Sequence, residues 1–102
     1  MAAKLKHQAN IVNQENRLMV SGDLDFETVT ALWRQSLALL ARSPELQIDF
    51  TQVTAANSAG LALLIEWLKF ARKNKKSIRF THIPAQLISI ADAAGIKKLL
   101  EV

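Results

Sequence analysis

Cysteine is absent from the 102-residue sequence, and glycine occurs only three times, at Gly22, Gly60 and Gly95. Without cysteine the chain can form no disulfide, no thiolate metal site and no cysteine nucleophile. The absence also agrees with a reducing compartment. Three scattered glycines cannot form the glycine-rich loop that holds phosphates in nucleotide-binding motifs. These classes of site are therefore excluded.

Long apolar runs are also missing. The longest, from Ala59 to Ile65 with Gly60 included, ends at Glu66 and is far shorter than the roughly 20 residues that cross a bilayer. The first ten residues, MAAKLKHQAN, contain no apolar core of signal-peptide length. Half of the residues are hydrophobic and 22% are charged, as in folded globular chains. We expect one soluble intracellular domain covering residues 1–102.

The net charge of +4 is unevenly distributed. A basic stretch without acidic residues consists of Lys69, Arg72, Lys73, Lys75, Lys76 and Arg79. Such a stretch can face phosphates or an acidic partner, or it can be the solvated end of a helix, where cations complement the helix dipole. The second interpretation is favoured, since charge runs usually mark exposed surface. No aromatic residues are interleaved as in nucleic-acid-binding patches, so no nucleic-acid partner is predicted.

The first quarter of the chain has the pattern of a hairpin followed by a helix. Residues 9–12 and 17–21 are predicted strands joined by a short polar turn. We expect residues 22–25 to end the second strand and Asp25 to be the N-cap of the next helix. Three- and four-residue spacing gives this helix one apolar stripe, formed by Phe26, Val29, Trp33, Leu37 and Leu40. Ser43-Pro44 is expected to end it.

The rest of the chain alternates strands and helices. Leu46, Ile48 and Phe50 alternate with polar residues, as in a strand with one buried face. A helix follows from Ser58 to about Lys73, then a strand around Ile78 and Phe80, and then a helix over residues 84–94 that ends at Gly95. Residues 96–102 are compatible with a fifth strand or a helical turn. The order β-β-α-β-α-β-α predicts an α/β fold with a mixed sheet of four to five strands and helices mainly on one face.

Ser58 is the residue that raises the question of catalysis. Its surroundings, Ala-Asn-Ser-Ala-Gly, lack the first glycine of a nucleophile elbow. The only histidines available as a general base are His7 and His82. Asp23 and Asp25 lack a third nearby ligand for a metal ion and are better explained by turn formation. We therefore predict no enzyme, no catalytic residue, no metal and no cofactor.

Ser58 also lies where a helix begins, and three roles remain open for it. Its hydroxyl could cap the helix by accepting a backbone N–H. Unpaired amides and the positive end of the helix dipole could also accommodate a phosphate, which would make Ser58 a phosphoacceptor. Finally, an exposed hydroxyl could contact a partner protein, with Gly60 allowing a close approach of another backbone.

The helix from Ser58 has more apolar surface than a single sheet contact requires. Leu61, Leu64, Ile65 and Leu68 form one stripe, and Leu63, Trp67 and Phe70 form a second beside it. The second stripe could pack against a neighbouring helix of the same domain. Alternatively, it could occupy a groove of a partner, with Trp67 and Phe70 as anchors, because aromatic residues are enriched at binding hot spots.

Two stretches of the sequence resemble the STAS family, the sulfate transporter and anti-sigma factor antagonist domains. One is Val20-Ser21-Gly22-Asp23-Leu24-Asp25 followed by an amphipathic helix, and the other is Asn57-Ser58-Ala59-Gly60-Leu61. The second is similar to the family's Asp-Ser-x-Gly-Leu loop. The order of strands and helices also agrees, so the resemblance covers nearly the whole chain and implies a STAS fold.

Within this family, GLALLIEWLKFARKNKKSIRF is most similar to the small STAS subunits of bacterial phospholipid ABC transporters. The resemblance implies a non-enzymatic subunit that binds the cytoplasmic ATPase of such a transporter and supports its role in outer-membrane lipid asymmetry. The chain would then lie in the cytoplasm and contact the inner membrane only through its complex. The alternative is an anti-sigma factor antagonist, whose partner is an anti-sigma factor kinase that phosphorylates Ser58.

The resemblance also implies which residues contact the partner. Ser58 takes the place of the family's hydroxyl residue, and the predicted contact surface adds Asn57, Ala59, Gly60, Leu63, Trp67 and Phe70. Asn57 departs from the family pattern, because the antagonists commonly carry aspartate at this place. An amide can keep the shape of the loop, but regulated phosphorylation is less well supported without the carboxylate.

Overall fold

A computed structural model describes residues 8–101 of the chain. Its strands and helices follow the predicted order β-β-α-β-α-β-α, which is confirmed. The elements are β1 (Ala9–Gln14), β2 (Arg17–Leu24), α1 (Val29–Arg42), β3 (Glu45–Ala56), α2 (Ser58–Lys73), β4 (Ser77–Thr81), α3 (Ala85–Ala93) and a C-terminal 3₁₀ helix (Lys97–Leu100).

The four strands form one mixed sheet in the order β1-β2-β3-β4. β1 and β2 are an antiparallel hairpin, whereas β2, β3 and β4 run parallel to one another. Parallel neighbours require crossover connections, which α1 and α2 provide, and right-handed crossovers in this strand order bring both helices to the same face. The carboxyl ends of β2 and β3 therefore meet at one edge of the sheet, where α1 and α2 begin.

Alternation along the central strand separates the core from the open face of the sheet. Leu46, Ile48 and Phe50 of β3 are buried toward the helices, while Gln47 and Thr51 are exposed on the other side. This is the predicted pattern of a strand with one buried face. A single hydrophobic cluster joins these side chains to residues of all three helices and of the 3₁₀ helix.

Trp67 of α2 lies at the centre of this cluster and is completely buried. Its ring centroid is 6.2 Å from that of Phe50, and the ring of Phe50 makes an edge contact with Phe80. The indole N–H donates to the buried hydroxyl of Ser36 in α1 at 3.0 Å, and that hydroxyl donates to the Trp33 carbonyl. A buried polar group needs such a partner, so Ser36 allows an indole to sit between the two helices and the sheet.

The connection between β2 and α1 differs from the prediction. Residues 22–24 continue β2 to Leu24, and α1 begins only at Val29. Asp25 is not the N-cap; its carboxylate accepts the amide of Glu27 at 2.8 Å within a turn, and Thr28 occupies the capping position. The turn moves Phe26 out of the predicted apolar stripe and leaves it 74% exposed.

The C-terminal part follows the prediction more closely. α3 ends before Gly95, which adopts a positive φ of 78° as expected of a glycine that terminates a helix. The last described segment is the 3₁₀ helix, so within residues 8–101 there is no fifth strand. None of the helices in this part of the chain combines the length and the apolar character needed to cross a membrane.

The contact between Ser36 and Trp67 gives a stability prediction. Replacing Ser36 by alanine removes the acceptor of a buried indole N–H, and we expect the free energy of unfolding to fall by about 1–3 kcal/mol. Urea denaturation followed by circular dichroism measures the change, with Ser89→Ala on the exposed face of α3 as the matched control. Equal stability of the two variants would contradict this role of Ser36.

Candidate functional site

The N-terminus of α2 lies at the carboxyl edge of the parallel strands and is capped by Asn57. The side-chain oxygen of Asn57 accepts the amide of Ala59 at 2.9 Å, and the main-chain carbonyl of Asn57 accepts the amide of Gly60 at 2.9 Å. The amide of Asn57 in turn donates to the Leu24 carbonyl at 3.1 Å, which ties the loop to the end of β2. Asn57 therefore keeps the shape of this loop without an aspartate.

Ser58 is the first residue of α2 and is exposed. Since Asn57 caps the helix, Ser58 is not needed for capping, and its hydroxyl makes no hydrogen bond to any residue in the described range 8–101. The prediction of unpaired amides next to Ser58 is wrong for two positions, because Asn57 already binds the amides of Ala59 and Gly60. The hydroxyl is thus accessible, but the pre-formed phosphate site expected at a helix N-terminus is partly filled.

Ala59 and Gly60 turn inward rather than toward a partner. Both are buried, and a Cβ atom at Gly60 would lie 3.1 Å from the Leu24 Cβ and 3.3 Å from a Leu87 methyl. Gly60 therefore permits a close approach, but of side chains of β2 and α3 in the same domain and not of another backbone. Contact of these two residues with a partner stays a prediction.

The second apolar stripe of α2 also packs inside the domain. Trp67 has no exposed surface, Leu63 is 3% exposed, and only Phe70 is half-buried. The burial of Trp67 and Leu63 agrees with the alternative in which this stripe packs against a neighbouring helix of the same domain. Contact of Leu63, Trp67 and Phe70 with a partner stays a prediction. Phe70 packs at the edge of the core, where the ammonium group of Lys76 lies 5.9 Å from its ring centroid.

The depressions near the start of α2 are lined by predicted contact residues together with residues that the sequence did not indicate. A cleft of about 170 Å³ lies between the ends of β2 and β3 and is lined by Asp23, Leu24, Asp25, Ala55, Ala56 and Asn57. A shallow hollow of about 260 Å³ lies between α1 and α2 and is lined by Val29, Thr30, Trp33, Ala59, Ala62, Leu63 and Glu66. Phe26 lies in the short segment that connects the end of β2 to Val29, the first residue of α1.

We refer to Ser58, Asn57, Phe26, Trp33 and Ala62 as the α2-start surface. The periodicity of apolar residues placed Phe26 and Trp33 in the core stripe of α1. Periodicity alone cannot reveal that α1 begins at Val29, three residues later than predicted. The pair Asp25 and Thr28 contained the signal that was missed, since the Thr28 hydroxyl donates to the Asp23 carbonyl at 2.8 Å and accepts the Asp25 amide at 3.0 Å. Aspartate and threonine at such spacing favour turns of this kind.

His82 is far from Ser58 and cannot serve as its base. The imidazole Nδ1 lies 3.3 Å from an Asp49 carboxylate oxygen on the open face of the sheet. Asp49 pairs with Thr81 in the sheet register, nine residues before Ser58, so roughly 20 Å of strand separates the two sites. Burial by itself would raise the pKa of Asp49, but hydrogen bonds from Thr51 and the charge of His82 together lower it below 3.8. The buried carboxylate of Asp49 thus contacts the more exposed side chains of Arg17 and His82, away from α2.

Comparison with known proteins agrees with this architecture. The family model described as "Mlab, STAS domain" matches residues 7–101. A match over nearly the whole chain, together with the fold, defines the class of protein: the chain belongs to the STAS family, in its Mlab group.

The chain is also similar to two characterised proteins. The chain is 27% identical over 88 residues to the "Intermembrane phospholipid transport system binding protein MlaB" of Haemophilus influenzae, which covers 82% of this chain and 84% of that protein. It is 22% identical over 95 residues to the "Anti-sigma-B factor antagonist" of Bacillus subtilis, covering 91% of this chain and 87% of the relative.

The capping role of Asn57 can be tested by mutation. Asn57→Ala removes the acceptor for the Ala59 amide, and we expect a loss of about 1 kcal/mol in unfolding free energy. Asn57→Asp keeps an acceptor and places a negative charge at the helix N-terminus, so it should lose less stability than alanine although Asp23 and Asp25 line the same cleft. Chemical denaturation measures the unfolding free energy of both variants, and equal destabilisation by alanine and aspartate would exclude a capping role.

Proposed function

We propose that this protein is a non-enzymatic subunit of an ABC-type phospholipid transport system and binds the cytoplasmic ATPase of that system through its α2-start surface. The single observation that carries the proposal is the exposed Ser58 hydroxyl at the start of α2, which makes no hydrogen bond within residues 8–101, on a chain related to MlaB. By binding the assembled, active conformation of the ATPase more tightly than other conformations, the subunit would shift the population toward that state.

The shape and chemistry of the α2-start surface support protein binding. An aromatic side chain that is 74% exposed is of the kind that becomes an anchor when a partner covers it. The neighbouring hollow is shallow, and its wall includes the half-buried Trp33 and the small side chain of Ala62. The exposed Phe26 ring and the shallow hollow suit a partner that covers the ring and inserts a side chain of its own into the hollow.

Two acidic residues share a cleft with Asn57, and they favour the transporter proposal over a phosphorylation switch. Asp23, Asp25 and Glu27 lie in the segment from β2 to α1, and Asp23 and Asp25 line the same cleft as Asn57. A phosphate on Ser58 would meet like charges and would find the Ala59 and Gly60 amides already bonded. The antagonist function, suggested by the Bacillus subtilis relative, is therefore the second candidate.

The proposed complex has a defined cellular location, and the partner surface has a defined charge. The protein would lie on the cytoplasmic face of the inner membrane through its complex, where the transporter maintains lipid asymmetry of the outer membrane. The contacting surface of the ATPase should carry a basic residue opposite Asp23, because complementary charge steers association. No hydrolysis by Ser58 is proposed, since the described residues place no general base near it.

Charge at Ser58 is the first test of docking. Ser58→Glu introduces a carboxylate into a surface that would be desolvated in the complex, and we expect binding to the purified ATPase subunit to weaken at least about tenfold. Isothermal titration calorimetry measures the affinity. Ser89→Glu, on the exposed face of α3, is the matched control and should bind as wild type. Wild-type affinity of Ser58→Glu would refute docking through this surface.

Phe26 is the second test, because it is exposed in the isolated protein. Phe26→Ala should leave stability within about 0.5 kcal/mol of wild type but weaken ATPase binding by about 2 kcal/mol, as expected of an aromatic anchor. Val12→Ala is the control, since Val12 is 45% exposed on β1, away from α2. If the two variants bind alike, Phe26 is not part of the interface.

Affinity purification from native cells distinguishes the two candidate functions. The tagged wild-type chain should recover an ABC ATPase with its permease, and the Ser58→Glu variant should recover less of both. Recovery of a serine kinase of the anti-sigma type, with phosphate on Ser58 of the bait, would instead establish the antagonist function.

A further inference from the structure

A second surface, at the other end of α2, has chemistry that docking through Ser58 does not use. Here α2, β4 and the 3₁₀ helix enclose a cleft of about 460 Å³, lined by Ile65, Leu68, Lys69, Ala71, Arg72, Lys76, Ile78, Lys98 and Leu99. We call it the basic cleft. Its volume lies in the range of about 300–1,000 Å³ that is typical of small-molecule sites.

The floor of the basic cleft is aliphatic. Ile65, Leu68 and Ile78 are half-buried and Ala71 is buried, so they offer a continuous apolar surface, while Leu99 stands at the rim and is 45% exposed. No aromatic side chain lines the cleft, so it offers no ring on which a nucleotide base could stack. An unbranched hydrocarbon chain matches such a floor better than a flat ring system.

The rim of the cleft is cationic. Lys69, Arg72 and Lys98 are exposed, and among the described residues Arg72 and Lys98 form no ion pair, whereas Lys69 lies 3.4 Å from Glu66. Lys76 is occupied, since its ammonium group donates to the carbonyls of Leu40, Ala41 and Ser43 at the end of α1. Arg72 and Lys98 are therefore the groups available to an anionic ligand.

Basic residues are also concentrated in the C-terminal part of the chain, which contributes the cationic rim. Residues 69–101 contain eight lysines and arginines against two acidic residues, whereas residues 8–68 contain three against seven. The positive potential is thus concentrated around the basic cleft, where it would attract an anion and repel a cation. A ligand that matches both an apolar floor and a cationic rim is an anionic amphiphile, with a hydrocarbon chain and a negatively charged head.

We propose that the basic cleft binds a single-chain anionic amphiphile, with the hydrocarbon chain on Ile65, Leu68 and Ile78 and the anionic head on Arg72 and Lys98. The site is independent of the proposed function. Arg72 lies fourteen residues after Ser58 on the same helix, a separation of roughly 21 Å, so an occupied cleft leaves the α2-start surface free.

Dodecyl phosphate, used below its critical micelle concentration, is the probe for this site. Titration into the ¹⁵N-labelled full-length protein should give saturable chemical-shift changes confined to α2, β4 and the 3₁₀ helix. Inorganic phosphate has the head without the chain, and dodecyl maltoside has the chain without the charge; each should bind at least about tenfold more weakly, because each lacks one half of the interaction. Equal shifts with either compound, or no saturation with dodecyl phosphate, would overturn the proposal.

Charge reversal tests the rim with a matched control. The double variant Arg72→Glu/Lys98→Glu should weaken binding of dodecyl phosphate by about tenfold or more. The control Arg34→Glu/Arg42→Glu alters two exposed arginines of α1 and produces the same change in net charge. Circular dichroism establishes that both are folded. Equal weakening by the two variants would show that binding is non-specific attraction to a cation-rich protein and would refute the site.

The aliphatic half is tested at the exposed rim. Leu99→Asn should weaken binding of dodecyl phosphate severalfold, through loss of apolar contact, while Val12→Asn should not, although Val12 and Leu99 are both 45% exposed. An unchanged affinity of Leu99→Asn would contradict the assigned position of the chain.

Discussion

The close approach at Gly60 is the constraint on which the site depends. Without a side chain at this position, the first turn of α2 packs directly on Leu24 at the end of β2 and on Leu87 of α3. Asn57 completes the arrangement by binding two amides of the same turn, while its own amide is bonded to β2. Because the inward side of the turn is fixed by packing and its amides are capped, Ser58 is held outward with an unbonded hydroxyl. The exposure of Ser58 is thus a consequence of internal contacts.

The two ends of α2 are chemically different, which is why a different ligand is proposed for each. Asp23 and Asp25 line one cleft with Asn57, the cap of its N-terminus. Its C-terminus lies among lysines and arginines over an aliphatic floor. Basic residues at the end of a helix complement its dipole, and that interpretation of the basic stretch agrees with the exposure of Arg72 and Lys73. It does not explain why Lys98, from a different element, joins the same rim.

Much of the fold could be predicted because periodicity reports burial. The alternation of Leu46, Ile48 and Phe50 and the bounds of α2 were predicted correctly, since each depends on local pattern and on local signals at the ends of elements. The site was predicted less well. Apolar residues such as Trp67 and Phe26 are equally suited to a core and to an interface, and only tertiary contacts decide between them. Ser36 accepts the indole N–H of Trp67 across 31 residues, and a turn at Asp25 releases Phe26 to the surface; the periodicity of the sequence contains neither fact.

Site-specific photo-crosslinking tests the central claim most directly, because it reports which face of the protein meets a partner in the cell. Benzoylphenylalanine in place of Phe26 puts a reactive ring on the α2-start surface, and the same residue in place of Val12 puts it on β1. The account predicts a covalent adduct with an ABC ATPase subunit from position 26 and none from position 12. An ATPase adduct formed only from position 12, or a kinase of the anti-sigma type captured at position 26, would contradict it.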